Sequence, residues 1–77
     1  MAKLPVDLSG RELRKALEQA GFVFRRQRGS HMILRREEPL ARVVVPDHRV
    51  IRVGTLRQIL HDAGLSPDDL LRLLGRN

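Results

Sequence analysis

The 77-residue chain contains no cysteine, which excludes disulfides, thiolate metal sites and a cysteine nucleophile. Tryptophan and tyrosine are also absent, and two phenylalanines are the only aromatic residues. A row of rings on which single-stranded nucleic acid stacks its bases is therefore not available. No apolar run approaches the length of a membrane span, and Met1 to Leu8 has one lysine and no apolar stretch of a secretion signal. These absences point to a cytoplasmic protein with no membrane attachment. Repeats and low-complexity tracts are missing too. One further absence is local: from Gln19 to Arg36 there is no aspartate or glutamate.

The charge that is present lies where acid is scarce. Residues 1–21 carry a net +1, residues 22–57 a net +6 and residues 58–77 a net −1. A single-sign field confined to one segment suits a polyanion, because each phosphate neutralised releases condensed counterions. Thirteen of the fifteen cationic side chains are arginine, whose planar fork matches phosphate oxygens better than a point charge does.

A chain of this length buries only roughly 60% of its unfolded surface, so one small domain spanning residues 1–77 is expected, without room for a deep catalytic cleft. Residues 1–8 read as a loose arm. Ser9 followed by Glu12 is a capping-box signature, and Leu13, Ala16, Leu17 and Ala20 then recur at helical spacing up to Gly21. Three strands are predicted next: Phe22 to Gln27, Ser30 to Arg36 after a turn at Arg28-Gly29, and Ala41 to Val45 after a turn at Glu37 to Leu40. Pro46 stops the third, and Asp47 to Val53 forms a loop or a short edge strand. Thr55 can cap a second helix ending at Gly64. Ser66, with Pro67 at the first helical position, caps a short C-terminal helix within residues 66–75.

The order α-β-β-β-α-α implies an α+β domain, a three-stranded antiparallel sheet with helices covering one face. Alternation does not say which face: His31, Ile33 and Arg35 point one way, Met32 and Leu34 the other, and both sets include apolar residues. The helix-turn-helix outline of Leu56 to Leu74 could suggest a DNA reader, but Asp68 and Asp69 would stand where a recognition helix meets phosphate.

Five fragments occur in a telling order: Gly21-Phe22-Val23, Arg26 to His31, Val43 to Pro46, Gly54 to Leu60, and Ala63-Gly64-Leu65. Together, over about residues 9 to 66, they resemble the HicA family, small ribonuclease toxins of toxin–antitoxin modules. The resemblance implies a double-stranded-RNA-binding-domain-like fold, mRNA as substrate, a HicB-type antitoxin as partner, and a catalytic histidine in the Gly-Ser-His motif, here His31.

The chemistry agrees with that assignment. Cleaving RNA without a metal requires a base that takes the proton of a ribose 2′-hydroxyl, and histidine titrates in the range that suits this task. Arg25, Arg26, Arg28 and Arg35, with the other arginine of residues 25–36, are candidate phosphate binders. Gly29 would let the backbone approach a phosphate, Ser30 could donate to one or shape the turn, and His31 and Arg35 could flank one phosphate. His48 could serve as a general acid, contact RNA or be merely solvated, and His61 reads as a structural or surface residue. No metal and no small-molecule cofactor are expected, since no histidine or carboxylate pair has ligand spacing. A non-catalytic RNA-binding module of the same fold is the alternative.

Overall fold

Reciprocal hydrogen bonds fix the start of the first helix, α1 (Gly10–Gln19). The Ser9 hydroxyl accepts from the Glu12 backbone N–H at 3.1 Å, and the Glu12 carboxylate accepts from the Ser9 N–H at 3.0 Å. The computed structural model, which describes residues 3–76, builds from there three strands, β1 (Val23–Arg28), β2 (His31–Glu37) and β3 (Leu40–Pro46), then α2 (Val53–Ala63) and α3 (Pro67–Leu74). The same box recurs at α3, where Ser66 and Asp69 exchange bonds of 2.9 and 3.0 Å and Pro67 opens the helix. Gly64 closes α2 in the left-handed conformation at φ 72°, as its place in the sequence predicts.

The boxes make stability depend on pH. Backbone N–H donation, from Ser9 to Glu12 and from Ser66 to Asp69, is the main cause holding both carboxyls below their ordinary values. A depressed carboxyl stabilises the folded state above its unfolded pKa, and that contribution fades as pH falls through the folded one. Urea midpoints should therefore fall as pH drops below roughly 4, and less steeply in the double variant Glu12→Gln, Asp69→Asn. Identical slopes for the variant and the parent would remove the caps from the explanation.

The strands form an antiparallel meander in the order β1-β2-β3. Met32, Leu34, Val43 and Val45 share one face and sit in a single core with Leu13 and Leu17 of α1, Phe22, Ile51, Leu56, Ile59 and Leu60 of α2, and Leu70 of α3. All three helices thus cover the same side, the double-stranded-RNA-binding-domain-like arrangement. The C-terminal helix packs within its own chain, through Leu70 and, half-buried, Leu73 and Leu74. No helix among the described residues is long and apolar enough to cross a membrane.

Several sequence expectations shift. The β1–β2 turn is Gly29-Ser30, with Arg28 and His31 paired across it. Gly29 at φ +58° and a following residue of negative φ give the sign pattern of a type II′ turn, which matches strand twist. Residues 47–52 form a loop, not an edge strand. The second helix starts at Val53 with Arg52 at the capping position, so Thr55 lies inside its first turn and does not cap it. The arm expected to be loose is tied where it meets α1: Leu8 is fully buried, its carbonyl accepts from the Ile51 N–H at 2.8 Å, and Leu4 packs on the core. Residues 1 and 2 of that arm lie outside the described residues.

Candidate functional site

With the helices on one side, the other face of the sheet is open. Pairing across β2 and β3 places Arg26, Ile33 and Val44 in one row, Val23, Arg35 and Arg42 in another, and Arg28, His31 and Pro46 in a third. Strand alternation alone would send Arg25 and Arg26 to opposite faces. A bulge between Phe24 and Arg26 breaks the alternation, and both side chains line one depression with Ile33, Arg35 and Arg42. Ile33 is 8% exposed although it lies outside the core cluster, because arginine stems cover it while their heads stay wet.

This cluster is electrostatically costly. Arg35 and Arg42 stand directly opposite each other, and like charges in that position repel. Among the described residues, Arg35 pairs with Glu37 at 3.2 Å, whereas Arg25, Arg26, Arg28 and Arg42 have no carboxylate partner. The chain itself supplies little negative charge to offset these arginines. Arg42 escaped the sequence reading because it lies beyond the acid-free run, and only strand pairing brings it to Arg35.

His31 opens β2 at one end of this face, exposed and next to the turn. It shares the face with Arg35 as expected, but the two stand four positions apart, about 13 Å along the strand, and line different depressions. The nearest arginine of the predicted set is Arg28, its cross-strand partner. An open pocket of about 430 Å³ surrounds His31, formed with Val44, Pro46, His48, Val50, Arg52 and Thr55 among others. Arg52 and Thr55, from the start of α2, were not singled out as site residues by the sequence, since the loop before the helix hides where they return.

The loop is pinned at its first residues. The Asp47 N–H donates to the Ser30 carbonyl at 2.6 Å, and the Asp47 carboxylate accepts from Arg11 and from Gln27, each at 3.2 Å. The Arg11 side chain first, then Gln27, holds that carboxyl below its usual range. The His48 carbonyl accepts from the Gly10 N–H at 2.9 Å. Gly29 is open to solvent, with nothing within 4 Å of where a Cβ would stand, so its positive φ accounts for glycine there.

Arg36 leaves the set of candidate phosphate binders. Its guanidinium lies 4.6 Å from the Phe22 ring centroid and donates to the carbonyls of Pro39 at 2.9 Å and Ala63 at 3.1 Å, joining β2 to the end of α2. Arg14 stands 3.9 Å over Phe24, so both phenyl rings are covered by chain arginines. His61 is exposed on α2, away from the pocket.

The site thus combines a titratable imidazole beside a strand turn with a line of unpaired guanidinium groups, an arrangement able to bind successive phosphates and move a proton at one of them. Comparison with known families gives one match: the model described as HicA toxin of bacterial toxin-antitoxin covers residues 10–65. No curated protein matches the chain.

Proposed function

Because the chain belongs to the HicA toxin family and is a toxin of a toxin–antitoxin system, we propose that it is an endoribonuclease that cleaves mRNA in the cytoplasm without a metal ion. The observation that carries this reading is His31 on the same open sheet face as Arg25, Arg26, Arg28, Arg35 and Arg42.

RNA lies along that face with its phosphates over the guanidinium groups. His31 takes the proton of the ribose 2′-hydroxyl, whose oxygen then attacks the adjacent phosphorus. Arg28 neutralises charge that develops on the phosphate oxygens, and the Ser30 hydroxyl donates to the same phosphate beside Gly29. Arg25, Arg26, Arg35 and Arg42 hold the neighbouring phosphates and set the register. A HicB-type antitoxin silences the toxin by covering this face, and an acidic surface on it would complement the arginines.

Incubating purified protein with end-labelled single-stranded RNA in EDTA tests the proposal. Cleavage is expected. An intact substrate with salt-sensitive binding would leave the alternative, a non-catalytic RNA-binding module of this fold. Arg42→Gln should weaken binding to every RNA sequence alike and lower the slope of log K against log salt by about 0.7, the share of one phosphate contact on a single strand. An unchanged slope would take Arg42 off the RNA path.

A further inference from the structure

The pocket around His31 contains a second imidazole. His48 lines it from the β3–α2 loop, while Arg52 and Thr55 line it from the start of α2. His48 is exposed, yet the backbone that carries it is fixed on both sides. One residue before it, the Asp47 N–H binds the carbonyl of Ser30, the neighbour of His31, and the His48 carbonyl is held by the Gly10 N–H. These bonds set the two histidine-bearing segments against each other with no free loop between them. Among the described residues, neither imidazole is engaged in a side-chain hydrogen bond or ion pair.

Resting on the nuclease reading, we infer that His48 is the general acid of the cleavage, and that this pocket holds the scissile phosphate between His31 and His48. The proton balance requires such a group. As the 2′-oxygen forms its bond to phosphorus, its proton passes to His31. As the bond from phosphorus to the 5′-oxygen breaks, that oxygen takes a proton from the His48 imidazolium and leaves as a 5′-hydroxyl. The products are a 2′,3′-cyclic phosphate and a 5′-hydroxyl end, and solvent exchange returns both histidines to their starting forms. An alkoxide is too basic to leave unprotonated at neutral pH, so an acid on the far side of the phosphate from the base is the missing part.

The rest of the pocket suits this division of work. Arg52 offers a guanidinium and Thr55 a hydroxyl to the non-bridging oxygens. The Asp47 carboxylate, adjacent in the loop, is committed to Arg11 and Gln27 and does not pair with His48. His31 and Arg52 are the other titratable or charged side chains lining the pocket with it. Val44, Val50 and Pro46 contribute apolar wall to the pocket.

The test compares His48→Ala and His31→Ala with the parent on two RNAs, one ordinary and one with a 5′-bridging sulfur at a single cleavage site. A thiolate leaves without help from an acid, so loss of an acid is rescued by sulfur and loss of a base is not. His48→Ala should cut the ordinary linkage ~10²–10⁴-fold more slowly than the parent and the sulfur linkage within ~10-fold of it. His31→Ala should be slow on both, and product ends should be cyclic phosphate and 5′-hydroxyl. Equal losses on both linkages for His48→Ala would assign His48 to binding or folding and overturn the inference while leaving the nuclease standing. A parent protein that cuts neither RNA would instead overturn the nuclease reading and this one with it.

Discussion

His31→Ala should lower RNA cleavage by ~10²–10⁴-fold while leaving the fold and RNA affinity close to the parent's. The reason lies in how little else the side chain does. His31 is exposed at the first residue of β2, on the face away from the core, and no hydrogen bond or ion pair of its side chain exists among the described residues. Removing an exposed imidazole of that kind typically changes stability by no more than ~0.5 kcal/mol. On the proposed reading, affinity rests on guanidinium groups further along the sheet, four of which line their own depression without His31. Cleavage rates in EDTA, thermal melts and salt titrations of binding, taken on the same preparations, separate the three quantities. Cleavage retained at the parent rate would remove His31 from the chemistry. Loss of cleavage together with melting temperature would make its role one of folding.

The largest effect on stability is expected from Gly10→Ala, at a residue with no side chain to take part in the chemistry. Gly10 is the first residue of α1 and is buried. A Cβ there would stand 2.0 Å from the Pro46 carbonyl oxygen and 3.1 Å from the Asp47 Cα, both backbone atoms that no side-chain rotation can move. Overpacking typically costs ~1–3 kcal/mol, and a clash against backbone belongs at or above the top of that range. For a domain of this size each kcal/mol lowers the melting temperature by roughly 4–8 °C. The strain falls on the junction that carries His48, since the Gly10 N–H holds the His48 carbonyl. Cleavage by the folded fraction should therefore fall as well. Differential scanning calorimetry with cleavage assays well below the melting temperature would show both, and a melting temperature within a degree of the parent's would contradict the close approach.

Local order was legible because its causes are local. Ser9 with Glu12 and Ser66 with Asp69 satisfy helix N–H groups three residues away, so a short word in the sequence carries the whole interaction. Gly64 after a run of helical spacing needs only its own φ to end α2. Thr55 was misplaced for the complementary reason: α2 starts without a side-chain cap, and a helix start held by its neighbours leaves no mark in the sequence.

The candidate site divides in the same way. Gly29-Ser30-His31 and the arginine run around it are contiguous, so composition and motif located the basic segment and its histidine before any fold was known. Which face they occupy was not legible, because apolar residues on both sides of β2 satisfy alternation equally well. Packing decides it: Met32 and Leu34 meet α1 and α2, and Ile33 is left under arginine stems.

By itself, then, the sequence determined the element order, the Ser9–Glu12 capping box, the Ser66 cap, the strong positive charge of the middle segment and the identity of the motif histidine. Each depends on residues near one another along the chain. Only tertiary structure decided that Arg25 and Arg26 act on one side through a bulge, that Arg42 faces Arg35, and that Arg36 is a structural clasp between β2 and α2. It also decided that His48, Arg52 and Thr55 return to His31. Those relations follow from strand pairing and from a loop pinned by Gly10, Ser30 and Asp47, contacts made between segments that the chain brings together only when the core closes.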